Sequence, residues 1–233
     1  MEPPARRVRG LFVTGTDTGV GKTVVSAAIV AGLVSLGFAV RPLKPLITGL
    51  DEPPDPIWPP DHEQLARVAG LDPDDVALLR YGPAVSPHLA AELTGEAVRP
   101  GELERAIRGA VHDGEVAVVE GAGGLLVPIA PVYDMRELAA ALAMPLVVVA
   151  RPGLGTINHT LLTLEAARSR GLSVAGVVLN PWPAEPDEIE RSNRATIEQL
   201  GEVTVSVLPR LEAPDPAALA AAGGRLPLER WLA

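Results

Sequence analysis

The sequence predicts an α/β fold, a mostly parallel sheet covered by helices on both faces. Two observations predict it. Short runs rich in Val, Ile and Leu alternate with helical stretches along the whole chain, the pattern of strands joined by crossover helices. The 233 residues, 47% of them hydrophobic, also suit a single α/β domain spanning residues 1–233.

Taken in order, residues 8–14 (VRGLFVT) read as a buried first strand. The stretch from Lys22 to Leu36 is rich in Val, Ala, Ile and Leu and reads as a mostly buried helix, ended by Gly37. Residues 38–43 form a second strand. Further strands are expected at 115–119, 145–149, 173–179 and 203–207, and further helices at 62–69, 101–112, 134–143, 157–170 and 186–200. The segment Asp51 to Pro60 (DEPPDPIWPP) holds five prolines in ten residues and cannot be a regular element. A domain linker is the alternative, but no second self-contained pattern follows it, so it reads as a loop over the strand ends. No internal repeat is visible. The order of the strands is open, constrained only by the preference for right-handed crossovers.

Composition excludes several classes of function. With 20 basic and 29 acidic side chains the formal charge is −9, which disfavours nucleic acid as a partner, since that binding comes from Lys and Arg neutralising phosphates. The absence of cysteine removes thiol catalysis, disulfides, thiolate zinc sites and iron–sulfur clusters. The longest apolar run, Leu138 to Ala150, is 13 residues and contains Pro145, too short to span a bilayer. The opening MEPPARRVRG has no signal-type apolar segment. The expectation is a cytoplasmic protein without a membrane partner. Of the basic residues only two are lysines, Lys22 and Lys44, and both fall in glycine-bearing segments just after predicted strands. A compact ammonium meets a phosphate as a point charge, which a planar guanidinium cannot imitate in a tight loop.

Residues 15–23 read GTDTGVGKT, between a predicted strand and a predicted helix. A glycine-bearing turn at a helix N-terminus aims several backbone N–H groups at one point, with the helix dipole behind them. Lys22 would then reach the β- and γ-phosphates of a nucleotide, and the Thr23 hydroxyl would ligate Mg²⁺. The fold is therefore expected to be P-loop NTPase-like. The loop is one residue longer than the usual GxxxxGK[ST] spacing: Thr16 stands five before Gly21, and Gly15 six before it. An ordinary Gly-rich turn is the competing reading.

GTDTGVGKT, KPLITG at 44–49, SPH at 86–88, VEGAGG at 119–124, GTINHTLLT at 155–163 and VVLN at 177–180 together resemble dethiobiotin synthetase, and in that family's order over most of the chain. The resemblance implies an ATP- and Mg²⁺-dependent ligase that closes a ureido ring on 7,8-diaminopelargonate with CO2, the penultimate step of biotin synthesis. Such chemistry needs positioning and charge neutralisation more than a nucleophilic side chain, and a chain without cysteine can supply both.

Carried over residue by residue, the resemblance makes Lys44, Lys22 and Thr18 the catalytic set. The nucleotide would lie against Gly19, Val20, Gly21, Lys22, Thr23 and Val24, with Gly121, Ala122 and Gly123 opposite. Thr23, Asp61 and Glu120 match the family's metal ligands, Glu120 following directly on its strand. Asp61 can also be read as the N-cap of the next helix, with Glu63 the nearest rival ligand. Thr48 stands where the family commonly has Ser and would hydrogen-bond the substrate, or be a plain turn hydroxyl. Gly19 stands where some members carry Glu. Thr156, Ile157 and Asn158 would hold the substrate carboxylate at a helix N-terminus across a dimer interface, so a homodimer is implied. His159 reads as a packed or capping residue and His88 as structural. Asn180 matches an adenine-contacting Asn, and Pro209, Arg210 and Glu212 after the last strand match a second adenine loop. Near Asn193 some members carry a substrate-touching Tyr that this chain lacks.

Two other classes compete. A nucleotide-switch ATPase of the partition or septum-site type would carry a Lys where this loop has Asp17, would not need KPLITG, and commonly has a basic membrane helix that RLPLERWLA does not form. A cobyrinic acid amidase needs a glutaminase domain with a nucleophilic Cys.

Overall fold

A computed structural model describes residues 8–53 and 55–233; the readings made at residues 1–7 and at Pro54 lie outside them. Seven strands form one parallel sheet in the order β3-β2-β4-β1-β7-β8-β9. These are β1 (Gly10–Gly15), β2 (Val40–Ile47), β3 (Ala77–Arg80), β4 (Val116–Gly124), β7 (Leu146–Ala150), β8 (Val174–Trp182) and β9 (Val205–Pro209). A small antiparallel ribbon, β5 (Pro128–Ala130) and β6 (Tyr133–Asp134), follows β4.

Side chains alternate between the two faces of the sheet, as the pleat requires. Leu11, Val13, Val116, Val118, Val147 and Val149 enter one apolar cluster, beneath α1 (Lys22–Ser35), α2 (Asp61–Ala69), α8 (Pro216–Gly223) and α9 (Leu228–Trp231). Phe12, Ala117, Val119 and Leu146 enter a second cluster, under α3 (Pro87–Thr94), α4 (Pro100–Ala110) and α5 (Met135–Leu142). Val148, Ala150, Val177 and Leu179 join a third, under α6 (Thr156–Ser169) and α7 (Glu188–Gly201). Helix α1 has sheet on one side and α2, α8 and α9 on the other, so its apolar residues run all round it rather than along one stripe.

The expected elements are present with ends shifted by a few residues, and the larger shifts bear on function. The second strand does not stop at residue 43: β2 continues to Ile47 through Pro42 and Pro45. The Lys44 N–H donates to the Val76 carbonyl, so even-numbered positions of β2 point their N–H toward β3. Pro42 lies before the β3 pairing begins at Lys44, and Pro45 lies after the β4 pairing ends at Leu43. Each proline thus falls where no ladder bond is demanded of it. Likewise β4 runs on past residue 119 to Gly124 and β8 past Asn180 to Trp182. Lys44 and Glu120 are therefore inside strands rather than just after them, and Pro209 closes β9 instead of following it. Strands β3, β5 and β6 and helices α3, α8 and α9 were not among the expected elements.

Strands β1 and β7 are neighbours, yet the chain leaves β1 toward β2 on one side and β7 toward β8 on the other. A crevice opens at the carboxyl ends of two such strands, and open α/β sheets bind ligands there.

Candidate active site

The turn after β1 carries Thr16 to Gly21, and α1 starts at Lys22. The Thr16 N–H donates to the Val149 carbonyl at 2.9 Å, which ties the loop to β7 as it leaves the sheet. Gly21 caps α1 with φ of 86°, and a Cβ there would collide with the Asn180 amide. Only glycine meets both demands. The Asn180 amide, buried in β8, donates to the Val20 carbonyl at 3.3 Å. The Lys22 ammonium donates to the Asp17 carbonyl at 3.1 Å.

Across the cavity β2 and β4 present the second lysine and a carboxylate. The Lys44 Nζ lies 2.7 Å from Asp61 Oδ2 and 2.7 Å from Glu120 Oε1, and it donates to the Gly121 carbonyl at 3.2 Å. The Thr23 hydroxyl, on the first turn of α1, lies 2.7 Å from Asp61 Oδ1 and 2.9 Å from Glu120 Oε1. One hydroxyl carries one proton, so it satisfies only one of these carboxylates at a time. Glu120 is 0% exposed, and among the described residues its Oε2 has no hydrogen-bond partner. Three oxygen ligands, one with a bare buried lone pair, make a donor set that a hard cation can use. Asp61 is the first residue of α2, with Pro60 at the cap position. It is not the N-cap that the WPP-Asp sequence also suggested, and its carboxylate faces Thr23 and Lys44 instead.

The charges acquire their values from this packing. Burial, and then the Lys44 charge, push the Lys22 ammonium down to about 8, against the pull of Glu120, Asp61 and Asp17. Burial also pushes Lys44 down, but the carboxylates of Asp61 and Glu120 outweigh it and hold the ammonium above its ordinary range. Burial raises Asp61, and Lys44 with Thr23 bring it below the usual carboxylate range. The two ammonium groups are thus unlike. One is locked by anions; the other is short of them.

Both lysines line one cavity of about 520 Å³, together with Thr18, Gly19, Gly21, Thr23, Val24, Thr48, Asp61, Glu120, Ala122 and Gly123. The Pro-rich loop reaches over it, Asp55, Trp58 and Pro59 joining the lining. The Asp55 carboxylate accepts the N–H groups of Ile57 and Trp58, each at 2.8 Å, and turns the loop inward. Val20 and Gly121, also expected at the nucleotide, do not line this cavity; their carbonyls accept from Asn180 and Lys44.

A second cavity, of about 410 Å³, lies on the other side of the loop crest and takes in Asp17, Val20, Thr156, Pro181, Pro183 and Arg210. Thr156, the first residue of α6, is buried with its hydroxyl 3.4 Å from that of Thr160. Ile157 packs inward on the third cluster, and Asn158 is exposed. Expected as packed or capping, His159 is instead exposed, between this cavity and a third of about 440 Å³ that includes Thr18 and Leu162. His88 is exposed, 2.9 Å from the Ser86 hydroxyl. The Arg210 N–H donates to the Trp182 carbonyl at 3.2 Å, joining the ends of β8 and β9; Pro209 faces a separate cavity, and Glu212 is exposed. Asn193 is buried and donates to the carbonyls of Pro152 and Gly153, bracing the turn before α6.

Sequence reasoning missed Arg151, which follows β7 directly and donates to the Thr18 carbonyl at 3.1 Å. The cue was available: it is a charged residue at the end of VVVA, where a parallel strand reaches its ligand-binding edge.

The family model described as an AAA domain matches residues 9–217. The ATP-dependent dethiobiotin synthetase BioD of Mycobacterium avium is 44% identical over 201 residues, covering 85% of this chain and 86% of that protein. That of Anaeromyxobacter dehalogenans is 43% identical, covering 83% and 86%. Among solved structures, a ParA family ATPase from Chlorobium tepidum shares the fold at a TM-score of 0.54 and 16% identity, covering 94% of this chain and 90% of that one. The cell division ATPase MinD of Pyrococcus furiosus does so at 0.53 and 18%, covering 96% and 98%. The partition-type neighbours share the P-loop architecture alone, whereas identity over most of both chains shows that this chain belongs to the ATP-dependent dethiobiotin synthetase family.

Proposed function

We infer that the chain is an ATP-dependent dethiobiotin synthetase, a carbon–nitrogen ligase of biotin biosynthesis acting as one P-loop domain. The observation that carries the site assignment is the convergence of Lys22 and Lys44, with Thr23, Asp61 and Glu120, on one cavity. One amine of 7,8-diaminopelargonate attacks CO2 and loses a proton, giving a carbamate. A carbamate oxygen attacks the γ-phosphorus of ATP, and the bond to ADP breaks. The second amine then attacks the carbonyl carbon and gives up a proton, the bond from that carbon to the phosphate oxygen breaks, and the ureido ring closes as phosphate leaves.

Lys22 and Lys44 would lie on either side of the transferred phosphoryl group and stabilise its charge. Thr18 would touch the γ-phosphate or the carbamate, and Thr48 the substrate. Asn180, Pro209, Arg210 and Glu212 would bound the adenine. Thr23, Asp61 and Glu120 would hold Mg²⁺, which suits one hydroxyl, two carboxylates and the unpartnered Glu120 Oε2. Among the described residues no three His, Cys, Asp or Glu side chains stand together as a metal site, so remaining ligands would come from phosphate and water. The ion would neutralise charge on the phosphates. Thr156, Ile157 and Asn158 of a second copy would receive the substrate carboxylate in a homodimer. The exposed Leu162 on α6, with the exposed Leu126 and Leu154 in the cavities beside it, supports that reading. No helix among the described residues is long and apolar enough to cross a membrane, in keeping with a cytoplasmic enzyme.

Phosphate release from ATP is measured with diaminopelargonate and bicarbonate together and with each omitted. Release that needs both is expected. Equal release without them would replace this reading with a nucleotide switch.

A further inference from the structure

We propose that Arg151 is a positioning residue that clamps the crest of the phosphate-binding loop and thereby sets its affinity for nucleotide; the nucleotide-binding loop itself is taken from the proposed function. Arg151 stands on the opposite wall of the crevice between β1 and β7 from the loop it touches. Its Nη2 donates to the Thr18 carbonyl at 3.1 Å. The same nitrogen lies 3.3 Å from where a Gly19 side chain would start, and Gly19 has φ of 70°. The guanidinium therefore covers the Thr18–Gly19 peptide, at the first of the loop's two left-handed glycines. A left-handed glycine has many alternatives when unrestrained, and a loop that must be ordered on binding loses affinity to that ordering. Holding the Thr18 carbonyl outward keeps the following N–H groups aimed at one point, the condition for an anion cradle.

Charge adds a second effect. The loop crest carries Asp17, which also lines the 410 Å³ cavity with Arg151 and Arg210. The Asp17 carboxylate accepts its neighbour Thr18 N–H at 2.7 Å, and its carbonyl accepts from Lys22. An acid on the rim of a site for a polyanion is unfavourable, and a guanidinium lining the same cavity offsets that field. Guanidinium has five N–H donors in a rigid fork, so a bond to Thr18 leaves donors facing the crevice. Lysine would retain the charge but not the fork.

ATP binding is measured by equilibrium titration, without the other substrates, on the wild type, Arg151→Met and Arg151→Lys, alongside thermal unfolding. Because this reads nucleotide alone, it stands or falls independently of whether ring closure is the reaction. Weakening of about tenfold in Arg151→Met is expected, as for loss of a charged hydrogen bond. Recovery in Arg151→Lys should be partial, with unfolding midpoints unchanged because the side chain is exposed. ATP affinities within twofold of wild type in Arg151→Met would overturn the proposal. So would equal weakening in both variants with a lowered midpoint, which would mark Arg151 as a general structural contact.

Discussion

Two cation–carboxylate pairs link β2 with β4, one where β4 begins and one inside both strands nearer their carboxyl ends, and the two pairs are built differently. At the amino end Arg41 meets Glu115, with guanidinium–carboxylate distances of 3.1 and 3.3 Å and both side chains partly exposed. Toward the carboxyl end, inside both strands, Lys44 meets Glu120 at 2.7 Å, with the carboxylate fully buried. The first pair is closed: Glu115 also accepts the His112 N–H, and each oxygen has a partner. The second is open. Among the described residues Glu120 Oε2 is bare, Thr23 has one proton for two carboxylates, and Lys22 is held at a lowered pKa first by burial and then by its neighbouring ammonium. A closed pair joins two strands. An open one, buried at a cost that its own partners do not fully offset, is a place where a ligand completes the bonding.

That contrast can be broken by substitution, and Lys22→Ala should have the largest effect. Among the described residues Lys22 makes a single hydrogen bond, to the Asp17 carbonyl, so its removal should leave unfolding nearly unchanged. Substrate-dependent phosphate release should fall about 10²- to 10³-fold, the cost of deleting a preorganised charge stabiliser. Turnover within threefold of wild type would contradict its role. Lys44→Arg keeps the charge but puts a planar group between Asp61, Glu120 and the Gly121 carbonyl. A misplacement of about 1 Å is enough for a hundredfold loss in kcat; retained activity would show that the open end tolerates a planar cation.

Asp61→Asn should raise the Mg²⁺ concentration for half-maximal turnover by about tenfold or more, and an unchanged titration would assign the ligand elsewhere. The closed end predicts the smallest effects. Arg41→Met should leave kcat alone and cost about 1 kcal/mol in denaturant unfolding. Burial raises Glu115, but the His112 N–H and Arg41 outweigh it and hold its pKa below the ordinary 4.5. Its stabilisation is therefore present above that value and lost as pH falls through the lowered one. The stability gap between wild type and Glu115→Gln should fade below pH 4.5.

The two ends also differ in how legible they were. GTDTGVGKT and VEGAGG identify the loop and Glu120 because a phosphate cradle needs those residue types in one short stretch. Lys44 stood out because, Lys22 apart, every other basic residue of the chain is arginine. What the sequence concealed were relations between distant segments. The expected strand 38–43 stopped short of Lys44 and Pro45, and only the staggered pairing of β2 with β4 and then β3 shows that neither Pro42 nor Pro45 had to donate. Strand β3 is four residues long with half-buried leucines, too short for alternation to emerge. Helix α8 is built of Pro, Ala, Leu and Gly alone, so no polar residue marks the face that α1 leaves exposed, although Asp215 before Pro216 is a readable start. Arg151 acts through a contact with Thr18, 133 positions away in sequence. No local pattern encodes such a contact.

The central claim, that the open end of β2 and β4 is the nucleotide–metal site and the closed end a structural brace, is tested most directly by two isosteric substitutions. Mg²⁺-dependent ATP turnover is compared in Glu120→Gln and Glu115→Gln at saturating diaminopelargonate and bicarbonate. Glu115→Gln should follow the wild-type Mg²⁺ curve, while Glu120→Gln should lose about a hundredfold or more in rate. Equal activity in the two variants would contradict the assignment.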